Sequence, residues 1–143
     1  MKAIMTMVIF LGMVLVAGPS DKLLDAIAVV ESHNNDHAVN VKEAAVGRYQ
    51  IRPGYIKEVN RIQRMKRGTL YEYKDRLDPV KARQMVRIYL GFWGEQYKKT
   101  TGRVPTDEVY AKIHNGHAFW KKGPVCQNNT QRYWGKVVQA LKK

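Results

Sequence analysis

The chain holds a single cysteine, Cys126, which excludes an intrachain disulfide and any multi-cysteine metal knuckle, so stability has to come from packing. No base is paired with that thiol in the sequence, and it reads as a small buried side chain rather than a nucleophile. Acidic residues are scarce, with 12 Asp and Glu against 25 Lys and Arg, a formal charge of +13. Internal repeats and low-complexity tracts are missing, and Gly123-Pro124 marks a turn rather than a linker, so the 143 residues read as one domain. Long apolar runs are missing after the N-terminus. The one such run, Ala3 to Ala17, follows Met1-Lys2 and is too short for an easy membrane span. It reads as a secretion signal over residues 1–17, with Leu15-Val16-Ala17 as the cleavage site and an uncleaved N-terminal anchor as the alternative.

The excess of positive charge directs the chain toward polyanions. The basic residues are scattered, as in Arg61, Arg64, Lys66 and Arg67, then Lys98 and Lys99, then Lys142 and Lys143. No Lys/Arg tract, zinc spacing or ribonucleoprotein-type aromatic motif points to nucleic acid. For an exported protein the expected anions are cell-wall polymers or acidic membrane surfaces, and the expected location is secreted or periplasmic.

Helical periodicity dominates residues 18–143. Leu23, Leu24, Ile27, Ala28 and Val30 form a stripe over Lys22 to Ser32. Asn34-Asn35-Asp36 reads as a turn, and Ala38 to Ile51 as an irregular or hairpin-like lobe in which Gly47 supplies conformational freedom. Pro53 opens a second helix carrying Ile56, Val59 and Ile62. Asp78-Pro79 caps a long third helix with Ala82, Met85, Val86, Tyr89, Phe92 and Trp93 on its core face. Thr106 starts a fourth that ends at Asn115-Gly116, and the last places Tyr133, Trp134, Val137, Val138 and Leu141 on one stripe. The predicted fold class is mostly α with one small irregular lobe.

Glu31 breaks the first of these patterns, because it falls within the apolar stripe four residues after Ile27. A carboxyl group there loses hydration and, near the helix end, meets the negative pole of the macrodipole. Both effects penalise the charged form, as a general acid requires; a frayed helix end or a structural pair with an arginine is the alternative.

Two further blocks add to this one. Glu31-Ser32 is followed by Glu43-Ala44-Ala45-Val46-Gly47-Arg48-Tyr49-Gln50-Ile51, and later by Ala111-Lys112-Ile113-His114-Asn115-Gly116. In this order, the Glu-Ser pair, the Gly-x-x-Gln-Ile segment and the Asn-Gly turn resemble the lysozyme-like superfamily. The soluble lytic transglycosylases that cleave peptidoglycan are the nearer match, with goose-type lysozymes as relatives. The resemblance implies a lysozyme-like domain acting on peptidoglycan glycan strands, without a cofactor or metal and as a monomer. It implies that Glu31 protonates the bond between N-acetylmuramic acid and N-acetylglucosamine, then acts as base on a muramyl hydroxyl to close an anhydro-sugar. Inverting hydrolysis would need a second carboxylate to activate water, for which Glu43 is the first candidate and Asp36 the next.

Around these, Gln50 matches the family glutamine that lines the cleft, and its amide suits acetamido and hydroxyl groups. Ser32 is expected to orient the Glu31 region or to cap the helix end, Tyr49 to offer a flat face to a sugar ring or to fill the core, and Asn115 to bind an acetamido group or to cap its helix. His114 departs from the pattern, since many transglycosylases carry a tyrosine there. A neutral imidazole can hydrogen-bond to Glu31 as a tyrosine does, whereas a protonated one would stabilise the charged carboxylate and alter or abolish activity. An inactive wall-binding protein is therefore a second reading. The four histidines form two clusters, His33 with His37 and His114 with His117, which the resemblance would place about one cleft; a metal role is the lesser reading of them. If exposed Lys and Arg drive attachment to anionic wall polymers, binding weakens steadily with added salt in a sedimentation assay. Salt-insensitive binding would place the affinity in a sugar-specific cleft instead.

Overall fold

The computed structural model describes residues 16–117, 121 and 123–143. The expected secretion segment therefore lies outside the described residues except for Val16 and Ala17. Five α-helices appear among them: α1 (Asp21–Ser32), α2 (Pro53–Lys66), α3 (Pro79–Thr101), α4 (Asp107–Gly116) and α5 (Pro124–Leu141). No helix among the described residues is long and apolar enough to cross a membrane.

Local chemistry sets the helix limits. Ser20 accepts from the Leu23 amide at 3.1 Å and starts α1, Asp78 accepts from Val80 and Lys81, and Thr106 accepts from Val109. At the other end of α1, His33 turns left-handed at φ 54° and its amide bonds back to the Val29 carbonyl at 2.9 Å. Leu23, Leu24 and Ile27 are fully buried, each contributing roughly 1.5–3 kcal/mol over exposure. They join Val59 of α2, Met85 and Leu90 of α3, Ile113 of α4 and Val137 of α5 in one core. Helix α1 packs against α5 and α4, while α3 lies between α2 and α4. Phe92, expected on the core face of α3, is only half-buried, with the Arg61 guanidinium 5.2 Å over its ring.

The lobe between α1 and α2 is a minimal hairpin. β1 (Val39–Asn40) pairs antiparallel with β2 (Ala45–Val46), Val39 opposite Val46, and a 3-10 turn over Val41–Glu43 joins them. A second 3-10 turn, Tyr73–Leu77, docks beneath: Arg76 donates to the Ala44 and Ile51 carbonyls at 3.0 Å each. Contact is so close at Gly47 that a Cβ there would lie 2.1 Å from the Arg76 carbonyl oxygen, and the residue has φ 81°. Only glycine satisfies both conditions. Arg83 of α3 completes the anchorage, reaching Asp21 and Asp25 of α1 and the Tyr49 hydroxyl of the lobe.

Gly47→Ala combines a left-handed non-glycine backbone with a backbone clash, so urea denaturation is expected to show a loss of about 2–4 kcal/mol. A loss under half a kilocalorie would show that the lobe is not pinned at this point.

Candidate active site

Glu31 is the penultimate residue of α1, with its side chain 19% exposed. The Tyr133 hydroxyl of α5 donates to its Oε1 at 2.8 Å. His114 Nε2 of α4 stands 3.4 Å from the same oxygen, longer than a well-formed N–H···O bond. The other oxygen, Oε2, has no hydrogen-bond partner among the described residues. One face of the carboxyl group is thus held from behind while the group lines an open cleft.

Behind Glu31 runs a chain of polar aromatics. The Tyr55 hydroxyl of α2 is 3.3 Å from His114 Nδ1. Burial above all pushes the phenols of Tyr55 and Tyr133 well above the usual tyrosine range, and the nearby Glu31 charge adds to this. Both therefore remain protonated donors. An ionised carboxylate only accepts, so a His114 tautomer with its hydrogen on Nε2 can face Oε1 while Nδ1 accepts from Tyr55. Tyr55, His114 and Glu31 thus stand in a row, with Tyr133 on the same carboxyl oxygen that faces His114. Tyr55 also stacks on Tyr89 at 3.9 Å between centroids, and the Tyr89 hydroxyl lies 3.2 Å from His117 Nδ1. Burial, then the charges of Arg52 and His114, lower the pKa of His117, which favours its neutral form.

The facing wall comes from the lobe. Glu43 lines the cleft in an ion pair with Arg52, which immediately precedes α2. Gln50 has a left-handed backbone, φ 47°, held by its own amide nitrogen, which donates to the Gly47 carbonyl at 2.9 Å and the Ala38 carbonyl at 3.3 Å. Its amide oxygen has no protein partner among the described residues and is open to a ligand. Asp36, the reserve second carboxylate, is engaged by Arg48 through both oxygens and does not line the cleft.

Of the residues singled out from sequence, Glu31, Glu43, Gln50, His114 and Asn115 line this one cleft of about 130 Å³. Ser32 and Tyr49 do not. The Ser32 hydroxyl donates to the Arg48 carbonyl at 2.9 Å and accepts from the Asn35 amide, fastening the end of α1 to the lobe. Tyr49 is 1% exposed with its hydroxyl on Arg83, so it has no face for a sugar ring; its apolar body serves the core. His114 and His117 line the cleft, whereas His33 and His37 are exposed on the turn after α1 and do not. Cys126, expected to be buried, is half-buried in the lining of a second cavity, which shares Glu43, Arg52 and Asn115 with this cleft. Sequence reasoning missed Tyr133, Tyr55 and Arg52. The first was read as core, and only the need of a buried phenol for a hydrogen-bond partner could have flagged it.

A mostly helical domain with a small hairpin lobe facing a half-buried glutamate is a lysozyme-like architecture. The chain belongs to the transglycosylase SLT domain family, whose profile matches residues 17–123. That membership supports a peptidoglycan-cleaving function of the lytic transglycosylase type. Neither curated protein sequences nor solved structures yield a significant match. The matched stretch stops before α5, so the helix that supplies the Glu31 hydroxyl contact follows it.

Tyr133→Phe removes that contact while keeping the buried ring. Wall cleavage is expected to fall about 10–100-fold, the worth of one hydrogen bond to a charged group, with little change in thermal midpoint. Unchanged turnover would show that Tyr133 does not hold Glu31 for reaction.

Proposed function

We propose that this protein is an exported lytic transglycosylase that cleaves the β-1,4 bond between N-acetylmuramic acid and N-acetylglucosamine in peptidoglycan. The observation that carries the reading is that Glu31 is the one carboxylate lining the cleft, among the described residues, that no Lys or Arg engages. Glu31 donates its proton to the glycosidic oxygen as the bond to the muramyl anomeric carbon breaks. The resulting carboxylate then takes a proton from a muramyl hydroxyl, whose oxygen closes on that carbon to give the anhydro-sugar. Glu31 ends as it began, and no water is consumed.

The neighbours fit these steps. Tyr133 and His114 face Oε1 and keep the carboxyl group from rotating, which leaves Oε2 for the substrate. The amide of Asn115 and the open amide oxygen of Gln50 can take acetamido and hydroxyl groups. His114 in the place of the family tyrosine does not leave Glu31 without a phenol, since Tyr133 supplies one. This supports an active enzyme over an inactive wall binder. Hydrolysis through Glu43 would require that side chain to leave Arg52 in order to activate water. Site of action, in this reading, is the cell envelope, after removal of the N-terminal segment.

Glu31→Gln is expected to lower turnover by about 10²–10⁴-fold while glycan binding persists. Glu43→Gln is expected to cost only a few-fold, with mass analysis of digested wall showing anhydro ends. Reducing ends, together with a loss of about a hundredfold or more in Glu43→Gln, would identify a lysozyme-type hydrolase instead. More than a tenth of wild-type activity in Glu31→Gln would reject Glu31 as the acid.

A further inference from the structure

A cavity of about 360 Å³ shares no residue with the Glu31 cleft and opens where the chain enters the fold, with Val16 and Gly18 in its lining. The apolar run before α1 ends here, and the residues that follow it are bonded directly to the domain. The Tyr110 hydroxyl donates to the Ala17 carbonyl at 2.8 Å, Arg87 donates to the Pro19 carbonyl at 3.3 Å, and Pro19 is buried. Gly94 permits the first of these contacts, because a Cβ there would lie 2.6 Å from the Tyr110 ring and 2.9 Å from its hydroxyl. Ser20 then caps α1. With no free linker, whatever lies against the end of the apolar run lies against this face.

The face is basic and carries apolar side chains among its cations. Lys66, in the last turn of α2, and Lys99, in the last turn of α3, are exposed, and among the described residues neither has a carboxylate within ion-pair distance. Arg87 is a third cation, shared with Asp21, and Glu95 is the one carboxylate in the lining. Ile88 and Phe92, both half-buried, belong to the same lining. Arg61 connects them to Met65: its guanidinium lies 5.2 Å over the Phe92 ring, its Nη1 is 3.5 Å from the Met65 sulfur, and Met65 is 55% exposed. Open cations mixed with apolar groups suit the surface of an anionic bilayer, where the charges meet lipid phosphates and the apolar tips enter the headgroup layer. A hydrophilic wall polymer offers nothing to Met65 or Phe92.

The apolar run points to the same partner. Retained, it brings the bilayer to Val16, with the cations beside it. Removed after Ala17, it leaves the Gly18 α-ammonium in the lining as a further cation. Helix α1 leads from this face to the cleft, placing Glu31 about 15 Å of helix rise beyond Asp21, so contact here leaves the cleft uncovered.

We propose that this face, centred on Lys66, Lys99 and the entry of the chain, docks on an anionic phospholipid membrane and holds the domain at the bilayer with the Glu31 cleft at the far end of α1. Docking of this kind does not depend on the reaction at Glu31.

Binding of the full chain is titrated with vesicles of phosphatidylcholine alone and of phosphatidylcholine mixed with phosphatidylglycerol. The apolar run contributes to both, so the ratio of the two affinities reads the charged face. Lys66→Gln/Lys99→Gln is expected to lower that ratio by roughly 10–30-fold, as removal of two cations from an anionic surface predicts. Arg132→Gln/Lys136→Gln, an equal loss of charge on α5, is expected to lower it by less than about threefold. All four side chains are exposed, so thermal midpoints should not change. Lysine acylation read by mass spectrometry is expected to show Lys66 and Lys99 protected by the anionic vesicles and Lys136 unprotected. Equal losses in the two double variants would reduce the attraction to net charge and overturn the docking face. So would an absence of preference for phosphatidylglycerol, or protection spread evenly over all lysines. If Lys66→Gln/Lys99→Gln weakens binding to a phosphate-bearing wall polymer and leaves vesicle binding intact, these cations belong to that polymer and membrane docking is rejected.

Discussion

A carboxyl group at the end of the apolar stripe of α1 has to be solvated by the protein, and the rest of the structure is arranged around that demand. Glu31 is only partly reached by water, so its Oε1 needs donors from elsewhere in the chain. Tyr133 comes from a helix that starts more than ninety residues later, and His114 from the helix before it. Those contacts bring α1, α4 and α5 to one point, and Tyr55 adds α2 through His114. The hydrogen-bond chain is buried polar chemistry that works only when all its members are in place.

The second requirement is a facing wall, and the small lobe supplies it at the cost of strained backbone. Left-handed residues at Ala44, Gly47 and Gln50 bend the chain sharply, and short strands of two residues each could not hold such a shape alone. Arg76 and Arg83 hold it from outside by bonding to carbonyls and to the Tyr49 hydroxyl. Part of the positive excess is thus spent on construction. Arg132 and Lys136 are exposed, and among the described residues neither has a carboxylate within ion-pair distance.

Much of this architecture was legible in the residues. Asp78 and Thr106 cap helices through their own side chains, and the stripes of α1 and α3 follow from helical period. The order of Glu31-Ser32, Gly47-x-x-Gln50 and Asn115-Gly116 pointed to the family that the profile match shows. Tyr49 misled because an aromatic next to a cleft glutamine has two faces to choose from, and alternation across a strained segment does not say which is inward. Tyr133 misled for the opposite reason: period placed it in the core correctly, but period is blind to the one polar atom at the end of the ring.

The sequence by itself determined the helices, several of their starts, the placement of a carboxylate on an apolar face and the strongly basic character, because these depend on neighbours within a turn or on composition alone. Tertiary structure decided which groups meet Glu31, that Glu43 is taken by Arg52, that Asp36 is turned away to Arg48, and that two cations of α5 line a cavity bordering the cleft. Such pairings join residues from different elements. Their geometry is set by how helices pack, which no local spacing encodes.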